Sequence, residues 1–158
     1  MPFRLSRIWF FVIIVLIIAL GGLSLTETQL PAVLLGGQEN SSPGDWVAES
    51  QIKVYPQNVV LDIPGAKWAG FTNTNSMDPF IDETANALEV MPADPDAIKA
   101  GDVISYKTPY GILIHRVIEK GIDEEGFYYI VKGDNNRFSD PFKVRFDEVQ
   151  GVVVAVIY

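Results

Sequence analysis

Three side chains with the chemistry of a hydrolytic triad occur along the chain: Ser76, His115 and Asp140. A serine hydroxyl is a weak nucleophile near neutral pH, so it needs a base and a group that orients that base. A neutral imidazole can accept a serine proton, and His115 is the one histidine of the sequence. Asp140, or Asp134 in the same segment 132–140, could hold the imidazole in the required tautomer.

Each of these residues also has a purely structural interpretation. The stretch 73-NTNSMDPF-80 has the composition of a turn, and 132-KGDNNRFSD-140 is typical of an Asx-rich turn. His115 lies on the run 112–120, where alternation places it on the same face as apolar neighbours, as in a half-buried core histidine. Spacing alone does not decide between a catalytic triad and these structural interpretations, because a triad is defined by its geometry and not by its order in the chain.

Composition excludes several other kinds of chemistry. The 158 residues carry a net charge of −8, which argues against nucleic acid as the main partner, because phosphate binding needs clustered cations. Cysteine is absent, so a nucleophile must be a hydroxyl, a carboxylate or an amine. A single histidine without cysteine is a poor transition-metal site, and no metal or organic cofactor is expected.

The N-terminal part predicts a membrane anchor. An uncharged apolar run covers 8–23 and extends to 25, close to the length that spans a bilayer. Arg4 and Arg7 precede the run, which predicts a cytoplasmic N-terminus and an extracytoplasmic domain. A cleavable secretory signal is the competing interpretation. Residues 1–25 are thus expected to be a cytoplasmic tip and single transmembrane helix, and 26–50, which ends in a Gly/Ser/Pro-rich stretch, a linker.

The remaining part, 51–158, is predicted to be an all-β domain, barrel-like or built of coiled sheets. Only 94–102 suggests a brief helical turn. The rest consists of short β-favouring runs broken by turn residues: IKVYP, NVVLDI, KWAGFTN, ALEVMP, DVISYK, ILIHRVIEK, GFYYIVKG, KVRF and GVVVAVIY.

In its second half the chain resembles type I signal peptidases, specifically those of the archaeal and endoplasmic-reticulum type. The resemblance rests on four segments in the family's order: 76-SMDP-79, 101-GDVISY-106, 115-HRV-117 and 133-GDNNRFSD-140. Bacterial members have a lysine before the Arg-Val pair, whereas this chain has His115. The resemblance therefore implies a histidine base, and a mostly β catalytic domain of the signal peptidase kind behind a single membrane anchor.

The resemblance also implies a role for each site residue. Ser76 would be the nucleophile, His115 the base and Asp140 the acid that orients it, with Asp134 a supporting carboxylate that could share that task. The hydroxyl of Thr74 and the backbone N–H of Ser76 would donate to the oxyanion.

Two features depart from the family pattern. Thr74 and Asn75 stand where the family usually has Gly-Ser, so the approach to the nucleophile differs. The segment 83–100 is longer than the corresponding connection in the eukaryotic enzymes. We expect this insertion to form a lid or a partner surface.

The expected function is that of a membrane-bound serine endopeptidase that cleaves N-terminal signal peptides from secreted precursors after small residues. Its partners would be those precursors, the lipid membrane and accessory membrane subunits, with the site on the extracytoplasmic side of the cell membrane. Two alternatives stay open. One is a dedicated processing protease for a single exported surface or filament protein, and the other is a non-catalytic, membrane-anchored domain that binds peptides.

Overall fold

The computed structural model describes residues 41–158, which fold into nine β-strands and three short 3₁₀ helices. The helices are Glu49–Gln51, Pro95–Ala97 and Phe146–Glu148. The strands, in chain order, are β1 (Ile52–Val54), β2 (Val59–Leu61), β3 (Lys67–Gly70), β4 (Asn86–Val90), β5 (Val103–Thr108), β6 (Gly111–Asp123), β7 (Gly126–Lys132), β8 (Val144–Arg145) and β9 (Val149–Ile157). The prediction of a mostly β domain is confirmed, and the helical turn expected within 94–102 is the helix Pro95–Ala97.

The strands form two antiparallel sheets. β1 and β2 make a hairpin, and the other strands form a seven-stranded sheet in the order β3-β4-β9-β5-β6-β7-β8. The register shifts between Leu88 and Glu89, between Ser105 and Tyr106, and between Val117 and Glu119. Such irregularities bend strands and increase their local twist, which re-aims the side chains beside them.

Apolar side chains cover both faces of the central strands. One core cluster contains Ile98, Ile104, Tyr106, Val117, Tyr129, Val131, Val144, Val149 and Val152. The second contains Met77, Ile81, Ala85 and Val103, with Ile114 packed against it. Because successive side chains of a strand point to opposite faces, β5 supplies Val103 to one cluster and Ile104 to the other. This strand is therefore fixed from both sides, together with the neighbouring strand β6.

The segment 83–100, expected to be an inserted lid or partner surface, instead belongs to the sheet and the core. It contains β4, which pairs with β3 on one side and β9 on the other. Ala87 and Ile98 are fully buried. Its length reflects a strand of the sheet followed by a short helical turn, so removing it would detach the edge strand β3 from the sheet.

The described part of the predicted linker, 41–50, packs on the domain. The buried carboxylate of Asp102 accepts hydrogen bonds from Gly44 N (2.7 Å), Trp46 Nε1 (2.9 Å) and Lys99 N (2.8 Å). Trp46 also contacts the larger core cluster. A Gly/Ser-rich composition predicted a linker, but one tryptophan and one distant carboxylate tie this stretch to the fold.

The predicted cytoplasmic tip, the transmembrane helix and the first part of the linker lie outside the described residues. Within 41–158, no helix has the length and apolar character needed to cross a membrane.

Candidate active site

Strand β6 carries His115, whose imidazole contacts the carboxylate of Asp140. Nδ1 of His115 lies 3.0 Å from Oδ1 and 3.1 Å from Oδ2 of Asp140, and the two side chains are only 7% and 9% exposed. The backbone N–H of Asp140 donates to Val131 O at 2.9 Å, which fixes the loop beside β7. A proton on Nδ1 donated to this carboxylate leaves Nε2 free to accept a proton, the tautomer that a serine nucleophile requires.

Tyr106 is a third member of this group, and the sequence interpretation missed it. Its hydroxyl donates to Oδ2 of Asp140 and lies 3.0 Å from Nδ1 of His115. The pKa of Tyr106 is raised well above its ordinary value, mainly by burial and further by the hydrogen bond to Asp140. The hydroxyl therefore keeps its proton. The signal in the sequence was its position at the end of 101-GDVISY-106, one of the four segments that carry the family resemblance.

The loop with Ser76 follows the edge strand β3. The hydroxyl of Ser76 lies 3.1 Å from Oγ1 of Thr74. Met77 is buried in the smaller core cluster, which holds the next residue of the loop in place. Asn75 has a φ of 55°, in the left-handed region that asparagine tolerates better than most residues. The loop thus projects the serine from a rigid base.

A second segment clamps this loop from the other side. Asn135 donates from its backbone N–H to Ser76 O and from its side chain to Asn75 O, both at 2.9 Å. Gly133 lies so close that a Cβ there would be 2.5 Å from Ser76 O. The segment 133-GDNN-136 therefore positions the serine loop directly.

Asp134 lies in the same segment but contacts a different partner. Its carboxylate accepts hydrogen bonds from Nε (2.7 Å) and one terminal nitrogen (2.6 Å) of Arg116, which also donates to Gly101 O at 2.8 Å. Of the two candidate partners of His115, the structure therefore places Asp140 at the imidazole and Asp134 at Arg116. The role left to Asp134 is to hold the clamp segment against β6.

Ser76, Thr74 and His115 line one cavity of about 430 Å³. No hydrogen bond between Ser76 and His115 is found in the described structure, and such bonds often tighten only when a substrate is bound. The cavity is bounded by the edge strand β3 and by residues 112–115 of β6, whose register pairs them with β5 and not with β7. A hydroxyl and an imidazole thus line a groove with free strand edges, and the carboxylate of Asp140 contacts the imidazole.

The wall of this cavity includes a buried carboxyl group that the sequence interpretation did not identify. Oε2 of Glu89 accepts a hydrogen bond of 2.9 Å from the hydroxyl of Ser105, and both residues line the cavity. Burial raises the pKa of Glu89, while the bond from Ser105 and the charge of Lys67 oppose that shift. The other oxygen, Oε1, is buried and has no hydrogen-bond partner among the residues described.

The described residues contain no group of three or more His, Cys, Asp or Glu side chains placed to hold a metal ion. The three-membered cluster of Tyr106, His115 and Asp140 is instead suited to accepting and holding a proton.

Comparisons with known proteins add little beyond this geometry. Over 77 residues the chain is 32% identical to an uncharacterized protein of Methanocaldococcus jannaschii. The match covers 49% of this chain and 38% of that protein, so the chain spans well under two thirds of the relative's length. No family model matches the chain, and no solved structure matches it.

Proposed function

We propose that this protein is a membrane-anchored serine endopeptidase of the type I signal peptidase kind, with a histidine base. One observation carries the proposal: Ser76 and His115 line the same cavity, and the imidazole is bonded through Nδ1 to the buried carboxylate of Asp140. The resemblance of the four sequence segments to that family supports the same conclusion, since those segments supply all three side chains.

The proposed reaction is acyl transfer in two steps. The Ser76 hydroxyl attacks the scissile carbonyl while its proton passes to His115 Nε2, and Asp140 stabilises the resulting imidazolium. The Thr74 hydroxyl and the Ser76 N–H donate to the oxyanion. His115 returns the proton to the leaving amine, and water then attacks the acyl-enzyme, with His115 again as base. The products are two peptides and the regenerated serine.

The substrate would bind as an added strand. The groove lies between the edge strand β3 and residues 112–115 of β6, and free strand edges can pair with an extended peptide. Small side chains before the cleaved bond would enter the shallow cavity beside Ser76. This agrees with the preference for small residues that the family resemblance implies.

A membrane anchor at 8–25 would keep the enzyme on the membrane from which the cleavage region of a signal peptide emerges. Tethering of enzyme and precursor to one membrane raises their effective concentration without new contacts. The lipid membrane, secretory precursors and accessory membrane subunits are the partners that this arrangement would use.

Membranes that carry the full chain test the proposal against a panel of unrelated secretory precursors. Processing of most precursors after small residues is the expected result, with the Ser76→Ala chain as the inactive control. If the panel stays intact in the presence of the wild-type chain, the proposed general signal peptidase activity is contradicted.

A second candidate is a dedicated protease for one exported surface or filament protein. The approach to the serine favours it, because Asn75 holds a left-handed conformation and its carbonyl is fixed by Asn135. A rigid approach of this kind would restrict the peptides that reach Ser76. Cleavage of one co-expressed exported protein, with the general panel intact, would distinguish this candidate. Peptide binding that survives Ser76→Ala, without cleavage by the wild type, would indicate a binding domain.

A further inference from the structure

Asn135 holds the backbone on both sides of the Ser76 Cα atom. Its side-chain Nδ2 donates to Asn75 O and its backbone N–H donates to Ser76 O, both at 2.9 Å. The first oxygen belongs to the peptide unit that enters Ser76, and the second belongs to the unit that leaves it. A single residue of the segment 133–136 therefore fixes the orientation of both peptide units of the proposed nucleophile.

The bond to Asn75 O also sets the direction of the Ser76 N–H. The peptide unit between these two residues is trans and planar, so its C=O and N–H bonds point in opposite directions. Because the carbonyl points at Asn135, the N–H points away from it. Ser76 lines the cavity and no residue of 133–136 does, so the N–H lies on the side that the clamp does not occupy. Among residues 41–158 no acceptor for this N–H is found, which leaves it available to an oxyanion.

The turn itself holds this peptide unit only weakly. Its own hydrogen bond, from Asp78 N to Asn75 O, is 3.4 Å long, beyond the usual range of N–H···O bonds. Asn75 has a φ of 55°, a left-handed conformation that costs energy in residues with a Cβ atom. Asn135 is exposed, so its side chain contributes a hydrogen bond to the loop and little packing. Without that bond the peptide unit between Asn75 and Ser76 could rotate.

We infer that Asn135 is a positioning residue of the oxyanion site, which aims the Ser76 N–H at the carbonyl oxygen of the substrate. This inference rests on the proposed function for the identity of that oxygen. It goes further in assigning the alignment of the donor to a side chain that does not line the cavity. A donor that is held in this way stabilises the developing charge without reorganisation during the reaction.

Cleavage of a labelled precursor by membranes with the full chain gives the first test. Asn135→Ala removes the amide and keeps the backbone N–H. It should lower kcat about tenfold to 100-fold with little change in KM, because the oxyanion donor is misaligned and not lost.

Gln51→Ala is the matched control. The side-chain amide of Gln51 is also exposed and also donates to a backbone carbonyl, Asp62 O, at 2.9 Å, but it does so at the base of the hairpin of β1 and β2. This variant should keep the kcat of the wild type. An unchanged kcat in Asn135→Ala, or an equal loss of kcat in both variants, would overturn the inference.

A pair of inhibitors separates the alignment of the donor from general effects on the loop. In a short peptide of alanine and glycine that ends in an aldehyde, Ser76 Oγ can add to the aldehyde carbon while its proton passes to His115, which places an oxyanion in the site. The matched peptide alcohol cannot react. Asn135→Ala should weaken binding of the aldehyde by about the same factor as kcat and leave the affinity for the alcohol unchanged. Equal weakening of both would overturn the inference.

The orientation of the Ser76 N–H separates this inference from the proposed function. Residual dipolar couplings of the isotopically labelled full chain in detergent micelles measure it, and it should change in Asn135→Ala but not in Gln51→Ala. If the wild type cleaves precursors and the orientation is the same in Asn135→Ala, the protease stands and the positioning role fails. If the wild type cleaves nothing while the N–H turns only in Asn135→Ala, the positioning role stands and the protease fails.

Discussion

His115 and Asp140 form a buried pair, with Nδ1 of the imidazole 3.0 Å from one carboxylate oxygen and 3.1 Å from the other. The pair joins strand β6 to the loop after β7, so the sheet fixes the imidazole and the loop fixes its partner. A carboxylate in this position selects the tautomer of the base and stabilises the imidazolium that forms during reaction.

The first prediction separates the two carboxylates of the segment 133–140. Asp140→Asn should lower kcat about 10³-fold to 10⁴-fold, because the neutral amide no longer selects the productive tautomer. Asp134→Asn should lower kcat less than about tenfold and reduce the free energy of unfolding by about 1 kcal/mol, since it weakens the pair with Arg116. Initial rates and urea denaturation measure both effects. The assignment is wrong if Asp134→Asn abolishes activity with unchanged stability.

The second prediction concerns the hydroxyl of Tyr106, a positioning group for Asp140. Tyr106→Phe should reduce the free energy of unfolding by about 2 kcal/mol, because it removes a hydrogen bond to a charged group. It should also lower kcat about tenfold with little change in KM, because the carboxylate is held less firmly.

Tyr129→Phe is its matched control. That hydroxyl is also carried by a fully buried tyrosine, but it donates to Pro95 O at 2.7 Å. The control should lose about 1 kcal/mol of stability and keep its kcat. Equal loss of kcat in both variants would show that Tyr106 acts only through general stability.

The third prediction tests the attachment of residues 41–50. Asp102→Asn replaces one carboxylate oxygen with an NH₂ group, although three N–H groups converge on this side chain. We expect a loss of about 2 kcal/mol in unfolding free energy and faster hydrogen exchange of the amides at 44–47. Asp96→Asn is the control, because its carboxylate is mostly exposed and paired with Lys120. Unchanged exchange in Asp102→Asn would show that the segment is held by other contacts.

The fourth prediction is a pH dependence that arises from Glu89. Burial raises the pKa of this carboxyl above the value of 4.5 that it has when unfolded, so the folded chain keeps a proton that the unfolded chain has released. Stability therefore falls as the pH rises through the interval above 4.5. Glu89→Gln removes this titration, so its stability relative to the wild type should increase with pH over that interval. Urea denaturation at a series of pH values measures the difference, and a constant difference would contradict the burial of an ionisable Glu89.

The strands were readable from the sequence because each is a short run of β-favouring residues between turn residues. His115 is an instructive case, since alternation along 112–120 placed it on the same face as Leu113 and Val117, and the structure buries both His115 and Val117. The local alternation of residues was therefore sufficient to predict the burial of His115. The segment 83–100 was misjudged because a comparison of link lengths does not show that β4 pairs with the preceding strand β3 and with the distant strand β9.

The site could be predicted only in part, because its contacts are set between strands. Ser76, His115 and Asp140 are marked by residue type, but the choice between Asp134 and Asp140 depends on how one loop turns. The strand β9 separates the strands of Glu89 and Ser105. These two side chains meet because β9 carries a glycine, Gly151, at the point where they cross it. Neither composition nor periodicity contains that information.

Cleavage of one labelled secretory precursor tests the central claim most directly. Membranes with the full wild-type chain, Ser76→Ala or His115→Lys would be incubated with the precursor, and the new N-terminus identified by mass spectrometry. The account predicts cleavage after a small residue by the wild type and only background cleavage by the two variants. Cleavage at the same bond by the Ser76→Ala chain would contradict it, because the hydroxyl that forms the acyl-enzyme would then be unnecessary.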